Sequence, residues 1–185
     1  MSLVHKAAKI FAPDEFVHRV TEITPKDLES RGIKGLILDL DNTLSEWQSE
    51  VIPEDILAWL DEMRTVGVTL CLASNTHNRR RLHRVAENLK MDYVQGIPKP
   101  RRSCFRKAME HMNLPADQVA IVGDQLFTDI LGGKRSGICS IMVSPIHPRE
   151  FIGTKVLRIV EGLLLGWFER NGLLPHPKNR NRKPE

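Results

Sequence analysis

The sequence predicts an α/β fold: a three-layer sandwich in which helices cover both faces of a central parallel sheet. Two observations support this prediction. Short apolar runs alternate with longer amphipathic stretches along most of the 185 residues, and the run 35–38 (Gly-Leu-Ile-Leu) is apolar on both faces, as in a strand that is covered on both sides. Strands separated by single helices are joined by right-handed crossovers, so neighbouring strands are expected to be parallel.

Five strands and four helices are predicted in the central part of the chain. The N-terminal segment is predicted to be helical from about Phe11 to Ile23, with a break at Pro25 and Gly32. We expect an N-terminal helical segment over 1–32, a core domain over 33–148, an amphipathic helical segment over 149–172 and a disordered basic tail over 173–185. The strands are expected at 35–40, 67–73, 92–95, 118–123 and 138–143, and the helices at 53–66, 77–90, 101–113 and 125–136.

The composition is that of a soluble-type globular domain with appendages, since 41% of the residues are hydrophobic and 27% are charged. Cys71, Cys104 and Cys139 are far apart and form no CxxC pair, so reduced and mostly buried thiols are expected rather than a disulfide framework or a zinc site. The apolar patch before Asp14 and Glu15 is too short for a secretory signal. An intracellular, cytoplasmic protein is therefore predicted.

The net charge of +4 is located at the C-terminus. From residue 151 onward seven Lys or Arg stand against three Glu, and this excess accounts for the whole net charge. The first 150 residues are balanced, so a basic nucleic-acid-binding core is not indicated and no nucleic acid partner is expected.

Polar residues follow the predicted strands at the point where each strand ends. Because the carboxyl ends of parallel strands meet at one edge of a sheet, we expect these side chains to form one site. A pair of carboxylates after a strand also suits a turn or a helix start, so Asp39-Leu-Asp41 in isolation leaves both interpretations open. Four such groups at one edge favour a site. In chain order they are Asp39 and Asp41, Ser74 and Asn75, Lys99, and the stretch from Asp124 to Asp129.

Taken in order, these groups resemble the four motifs of the haloacid dehalogenase-like phosphohydrolases. The resemblance covers roughly residues 34–145, and four ordered motifs are far more specific than a lone DxDxT. It implies a phosphatase on a Rossmann-like parallel sheet. A regulatory protein that kept the motifs but lost the activity is the alternative, although no required residue is missing. The matching segments are Asp39-Leu-Asp41-Asn-Thr43, Ser74-Asn75, Lys99 between Pro98 and Pro100, and Gly123-Asp124-Gln-Leu-Phe-Thr-Asp129.

Cleavage of a phosphate monoester needs an oxygen nucleophile, a cation that neutralises the phosphate oxygens, and a proton for the leaving alkoxide. The resemblance assigns the nucleophile to Asp39, which would form an aspartyl-phosphate, and proton transfer to Asp41. Lys99 would add a fixed positive charge beside the phosphate. Three further groups would contact phosphate oxygens: Thr43, Ser74 and the Asn75 amide.

A divalent cation is the expected cofactor, because two carboxylates close together repel each other and a hard cation relieves that repulsion. Mg²⁺ prefers oxygen ligands and keeps several waters. The resemblance implies that Asp39, the backbone carbonyl of Asp41 and Asp124 are its protein ligands. Asp129 would act as a further ligand or support the others.

The spacing of the motifs leaves no room for a cap domain, which relatives of this fold usually insert after the first or second motif. An open site suits a leaving group too large to enclose, or a site that a neighbouring subunit covers. Arg79 and Arg101 follow two phosphate-binding motifs and would hold a second anionic group on the substrate. A solvated charged surface is the alternative for these arginines.

The chain further resembles the phosphatidylglycerophosphate phosphatases of this superfamily, from about Pro13 to Pro148. That resemblance implies removal of the terminal phosphate of a lipid to give phosphatidylglycerol. Such a lipid offers one monoester to cleave and one diester for arginines to hold. The segments that resemble the family are GIKGLILDLDNTL, SN, GIPKP and VGDQLFTDILGGKRSG.

The C-terminal segment has apolar residues at helical spacing on one face, which include Ile152, Val156 and Trp167. Its apolar run is too short to cross a bilayer. It could dock on the sheet of its own domain, or lie in a membrane interface beside the basic tail, which would place the protein on the inner face of a membrane as a peripheral protein.

Two rival functions remain open at this point. The first is a soluble phosphatase for sugar phosphates or nucleotides, in which oligomerisation replaces a cap. The second is an interaction protein whose arginine-rich helix and basic tail contact RNA or ribosomes. The sequence does not predict the oligomeric state.

Overall fold

The computed structural model describes residues 10–147 and 152–173, and for residues 152–160 it describes only the helical backbone. Of the predicted tail over 173–185 the structure describes only Leu173, and the predicted apolar side chains between Ile152 and Val160 lie outside the described residues. The strands are β1 (Glu15–Val17), β2 (Gly35–Leu38), β3 (Thr69–Ala73), β4 (Asp92–Val94), β5 (Val119–Gly123) and β6 (Cys139–Val143). The α-helices are α1 (Pro25–Glu29), α2 (Glu54–Thr65), α3 (Arg79–Asn88), α4 (Arg102–Met112), α5 (Leu131–Ser136) and α6 (Ile152–Arg170).

The predicted fold class is confirmed. The six strands form one parallel sheet in the order β1-β6-β5-β2-β3-β4. From β2 the chain adds β3 and β4 on one side, and it then crosses over to add β5 and β6 on the other side. The strand order therefore reverses between β2 and β5, the two central strands. In open parallel sheets, the crevice beyond the carboxyl ends at such a point is where ligands bind.

Alternating side chains of β2 face two different helical layers. Leu36 and Leu38 belong to a core cluster that includes Leu60 of α2 and Val85 of α3. Ile37 belongs to a second cluster on the other face of the sheet, which contains helix α4. The strand is apolar on both faces because both faces are covered, as the sequence pattern predicts.

The prediction of a helix from Phe11 to Ile23 is wrong. Residues 15–17 form β1, which pairs with β6 at the edge of the sheet, and a single 3₁₀ turn follows at Val20–Glu22. Pro25 begins α1 rather than breaking a helix. The Thr24 side chain accepts a hydrogen bond from the Asp27 backbone, and the Asp27 side chain accepts one from the Thr24 backbone, so the helix starts with a capping box and proline in its first turn.

Helix α6 docks on the domain through its second half. Phe168 is 1% exposed and lies in a cluster with Leu126, Ile130 and Met142. The Glu161 carboxylate accepts a hydrogen bond from the backbone N–H of Phe127 at 3.2 Å. Two alternatives were predicted for the C-terminal segment, docking on its own domain or binding at a membrane interface. Residues 161–173 dock on the domain. Among the described residues, no helix is both long and apolar enough to cross a membrane.

No cap domain interrupts residues 10–147. The connection from β2 to α2 spans residues 39–53, and only residues 74–78 connect β3 to α3. Both connections leave the sheet at its carboxyl edge, which therefore remains open. The three cysteines are free thiols, as predicted.

Candidate active site

Asp39 and Asp124 follow adjacent central strands at the carboxyl edge of the sheet. Leu38 of β2 pairs with Val122 of β5, and the Asp39 backbone N–H continues this pairing by donating to the Val122 carbonyl at 3.0 Å. The sheet thus places both carboxylates side by side. The convergence predicted from the strand ends follows from this register.

Three carboxylates meet at this edge: Asp39, Asp124 and Asp129. One oxygen from each lies within 4.8 Å of the others, and the three residues are 4%, 0% and 0% exposed. Gly123 makes the approach of Asp129 possible, because a Cβ atom at this position would lie 2.4 Å from the Asp129 carboxyl carbon. Burying three carboxylates together is unfavourable unless a cation accompanies them.

Lys99 supplies a buried positive charge within this cluster. Its Nζ lies 2.5 Å from Asp39 Oδ1 and 2.6 Å from Asp129 Oδ1, and its side chain is 1% exposed. Burial opposes the charge on the ammonium group, but the carboxylates of Asp129 and Asp39 outweigh burial and raise the pKa of Lys99. Lys99 is therefore a fixed cation at neutral pH.

The side chain of Asn75 holds the backbone of Lys99. Its Nδ2 donates to the Lys99 carbonyl at 3.0 Å, and its Oδ1 accepts from the Lys99 N–H at 2.8 Å. The phosphate contact predicted for Asn75 would thus have to come from its backbone N–H. The Ser74 hydroxyl accepts a hydrogen bond from the Thr76 backbone at 3.2 Å and lies partly exposed at the end of β3.

The carboxylate of Asp39 is strongly perturbed. Burial raises its pKa to about 7, the Lys99 charge opposes this rise, and the neighbouring Asp129 adds to it. Asp39 Oδ2 is buried and has no hydrogen-bond partner among the described residues. An unpaired carboxylate oxygen inside a group of three carboxylates is the donor set that a hard divalent cation requires, so these residues fit a metal ion.

Asp41 lies outside the three-carboxylate cluster and is bound instead by an arginine. Arg81 Nη1 lies 2.8 Å from Asp41 Oδ1, and the two side chains are 3% and 16% exposed. The backbone N–H of Gln48 donates to Asp41 Oδ1 at 2.8 Å. The Asp41 side chain is 16% exposed and the Asp39 side chain 6%, so Asp41 is the more accessible of the two carboxylates.

The remaining predicted site residues take different positions. The hydroxyl of Thr43 lies 3.5 Å from Asp124 Oδ1. Arg79 is the first residue of α3 and Arg101 directly precedes α4, and both are exposed. Their exposure is compatible with binding a substrate group at the rim and equally with a solvated surface.

Sequence reasoning missed Arg81, although a signal was present. Arg81 falls in register with Leu82, Val85 and Ala86 on the buried face of α3. An arginine on an otherwise apolar helix face needs a buried partner, and the carboxylate of Asp41 is that partner in the structure.

The chain also matches a known protein family. A family model described as mitochondrial PGP phosphatase matches residues 1–146. The chain belongs to this family. The matched region contains all of the sheet and every site residue named above.

Relatives of the PGP phosphatase family match over most of this chain. Probable phosphatase YqeG of Bacillus subtilis is 37% identical over 164 residues, which cover 89% of this chain and 95% of that protein. Phosphatidylglycerophosphate phosphatase 1 of Arabidopsis thaliana is 25% identical, and the match covers 95% of this chain and 53% of that protein. The corresponding phosphatase of Chlamydomonas reinhardtii is 30% identical, with 95% and 65% covered. The chain spans about half to two thirds of the length of these last two relatives.

A solved structure shows the same fold. An uncharacterized protein from Listeria monocytogenes serotype 4b matches with a TM-score of 0.51 at 18% identity, covering 72% of this chain and 98% of that one. This member of the PGP phosphatase family is a phosphatase, a phosphoric monoester hydrolase. The predicted enzyme class is confirmed.

Proposed function

We propose that this protein is a Mg²⁺-dependent phosphatase that acts through an aspartyl-phosphate on Asp39 and converts phosphatidylglycerophosphate to phosphatidylglycerol. The observation that carries the mechanism is the buried group of three carboxylates with Lys99, in which Asp39 Oδ2 has no hydrogen-bond partner within the part of the chain that the structure describes. One oxygen of Asp39 is held by Lys99 and the other is available.

The metal would be held by Asp39, Asp124 and the backbone carbonyl of Asp41, with Asp129 as a further ligand or as a support for the others. When bound, Mg²⁺ would neutralise negative charge on the phosphate oxygens. Asp129 also pairs with Lys99 at 2.6 Å, so it would orient the lysine as well.

In the first half of the reaction an Asp39 carboxylate oxygen attacks phosphorus, and the bond from phosphorus to the lipid glycerol oxygen breaks. The electron pair of that bond stays on the leaving oxygen, which takes a proton from the Asp41 carboxyl group. Lys99 remains charged throughout and attracts the transferring phosphoryl group. The Thr43 hydroxyl and the backbone around Ser74 and Asn75 contact its oxygens.

In the second half a water molecule attacks the phosphorus of the aspartyl-phosphate. Asp41 takes the proton of that water, and the bond between phosphorus and the Asp39 oxygen breaks. Inorganic phosphate leaves and both carboxyl groups return to their starting states. A single group thus serves as acid and then as base.

The open rim supports a lipid-linked substrate. Trp47 and Val51, in the connection that follows Asp41, are 38% and 74% exposed, and Ile146, 38% exposed, donates its backbone N–H to the Asn42 carbonyl. These apolar side chains belong to loops at the same edge as the carboxylates and could touch a membrane surface. The exposed Arg79 and Arg101 at this edge would contact the diester of the lipid.

The substrate named for the plant and algal relatives supports the same choice. The proposed location is the cytoplasmic side of a membrane, with the protein bound at its surface. Flotation with vesicles of anionic phospholipid is expected to carry the full-length protein with the lipid.

Phosphate release measured on a substrate panel tests the proposal directly. With Mg²⁺, we expect turnover of phosphatidylglycerophosphate in mixed micelles to exceed that of sugar phosphates and nucleotides, and Asp39→Asn to abolish it. A preference for soluble monoesters would replace the lipid substrate with the soluble-phosphatase alternative. Full turnover by Asp39→Asn would contradict the nucleophile assignment.

A further inference from the structure

Arg81 is buried on the inner face of α3, beside Leu82 and Val85. Its side chain is 3% exposed. A guanidinium group is stable in such a place only when its donors are paired. Its contacts therefore show what the arginine does at this position.

The guanidinium contacts the flap, defined here as residues 41–52, at three points. Nη1 lies 2.8 Å from Asp41 Oδ1 and 3.0 Å from Oδ2. Nε and Nη2 donate to the Ser49 carbonyl at 3.0 and 2.5 Å, and Nη2 donates to the Ser45 hydroxyl at 3.3 Å. One side chain from α3 therefore binds the beginning and the end of the flap.

The flap itself supplies the other contact to the Asp41 carboxylate. The Leu40 carbonyl accepts from the backbone N–H groups of Leu44 and Ser45 at 3.0 Å each, which forms a tight turn. The chain then returns so that the Gln48 N–H reaches Asp41 at 2.8 Å. The carboxylate is thus held from two sides and remains 16% exposed.

We propose that Arg81 is a positioning residue for proton transfer: it fixes the orientation of the Asp41 carboxylate and ties the flap to α3. This inference rests on the proposed function, in which Asp41 protonates the leaving oxygen. The described chain carries no cap domain over the site, so the restraint on this flap comes from within the domain itself. A proton donor that is misplaced by about 1 Å is much less effective.

Arginine is required here for its geometry as well as its charge. The planar guanidinium binds the carboxylate and the Ser49 carbonyl at the same time, whereas a lysine ammonium is a single point of charge. Arg81→Lys keeps the charge and removes this simultaneous contact. Arg84 provides a matched control, since it also joins α3 to the flap through an ion pair with Glu50, but that pair is 53% and 38% exposed and does not include Asp41.

The test compares two monoesters with different leaving groups. p-Nitrophenyl phosphate releases p-nitrophenolate, which leaves without a proton. The alkoxide leaving group of phosphatidylglycerophosphate needs a proton. The lipid is supplied in detergent micelles, and glycerol 3-phosphate serves as the alkyl substrate if wild type leaves the lipid untouched. The rate of p-nitrophenol release in the burst phase and kcat and KM for both substrates are measured for wild type, Asp41→Asn, Arg81→Lys and Arg84→Lys.

We expect Asp41→Asn to lower kcat on the alkyl substrate by about 10²–10⁴-fold, and Arg81→Lys to lower it by about 10–100-fold. For both variants the p-nitrophenol burst should change far less than the alkyl kcat, and KM should change little. A double variant that combines Asp41→Asn with Arg81→Lys, measured in the same way, should be no worse than Asp41→Asn alone, because the arginine acts through that carboxylate. Arg84→Lys should behave as wild type.

The outcomes separate the two proposals. If Asp41→Asn leaves alkyl turnover intact, the assigned role of Asp41 in the proposed function is wrong. Suppose that Asp41→Asn affects the alkyl substrate more than p-nitrophenyl phosphate. If Arg81→Lys then lowers the rates on both substrates equally, or changes only KM, the positioning role of Arg81 is overturned. Additive losses in the double variant would overturn it as well.

Circular dichroism and thermal unfolding establish that each variant is folded. If Arg81→Lys does not fold, Ser45→Ala replaces it, because this change removes one acceptor of the guanidinium and leaves the ion pair with Asp41 in place. A small decrease in kcat that is confined to the alkyl substrate supports the positioning role. An equal decrease in the rates on both substrates overturns it.

Discussion

Lys99 and Asp39 show how strongly a single buried group can depend on its neighbours. Burial favours the neutral form of both groups. The charged form of each is stabilised by the other, which lies 2.5 Å away. For Asp39 burial still prevails, and its pKa rises to about 7. The site is therefore under electrostatic strain at the residue that is proposed to attack phosphorus.

Asp39→Asn should stabilise the metal-free protein at alkaline pH. A carboxyl group with a raised pKa in the folded state binds more protons there than in the unfolded chain, so wild type loses stability as pH rises from about 4 to about 7. The neutral amide avoids this loss. Thermal unfolding in a chelator at pH 8 should show a Tm several degrees above wild type, since about 1 kcal/mol corresponds to roughly 2–4 °C for a domain of this size.

The Tm advantage of Asp39→Asn should shrink as the pH falls below 7. Equal Tm values for the two proteins at pH 8 would show that the Asp39 carboxylate is not destabilising. Asp92→Asn is a suitable control, because Asp92 is exposed at the start of β4, away from the site.

Lys99→Met should destabilise the protein markedly. It leaves the carboxylates of Asp39 and Asp129 buried without their cation, and breaking such a buried pair costs about 3–5 kcal/mol. Lys134→Met is the control, because the Lys134 ion pair with Asp14 is partly exposed. Urea unfolding at pH 8 should give a loss several times larger for Lys99→Met, and similar losses would contradict the ion-pair argument.

At the level of elements, helix α6 completes the layer beside the segment that follows β5, in which Asp124 precedes a helical turn (Leu126–Ile130) that holds Asp129. Phe168 fills a cluster with Leu126 and Ile130, and these two residues flank Asp129 in sequence. The packing of the helix therefore supports the backbone that presents the carboxylates. Within residues 161–173, Leu164, Leu165 and Trp167 pack against the same cluster, whereas Leu163 is 66% exposed.

Phe168→Ala should lower the free energy of unfolding by about 3 kcal/mol, in the range for a buried aromatic side chain. Leu163→Ala on the same helix should change it by less than about 0.5 kcal/mol, because Leu163 is 66% exposed. Urea unfolding of the two variants measures both values. Equal effects would show that the helix does not pack as described.

At the scale of the whole molecule, removal of divalent cations should abolish activity without unfolding the protein. The proposed ligands lie at the carboxyl edge, whereas the core clusters lie between the sheet and its helices. Dialysis against a chelator should leave the far-ultraviolet circular dichroism unchanged, and Mg²⁺ should restore phosphate release.

Mg²⁺ should also raise the Tm at pH 8, by an amount that grows with its concentration because a ligand bound only to the folded state stabilises it by mass action. Asp124→Asn should lose most of this stabilisation. Equal stabilisation of Asp124→Asn and wild type would place the ion elsewhere.

The strands β2 to β6 and the convergence of their ends were predictable from the sequence, because apolar runs that alternate with helices determine a parallel sheet. Strand β1 was not, since it has three residues and no periodicity of its own. Its neighbour Asp14 bonds to Ser140, which lies 126 positions away along the chain. Arg81 was missed for a similar reason, because its significance depends on a partner from another segment.

The two edge strands of the sheet, β1 and β4, are three residues long each, and β1 pairs with the longer β6. Such short edge strands offer little unpaired backbone to another molecule. A chain shortened to begin at Val20 would uncover residues 141–143 of β6, the ones that pair with β1, as a template for intermolecular strand addition. Size-exclusion chromatography of that shortened chain should reveal concentration-dependent self-association that is absent from the full-length protein.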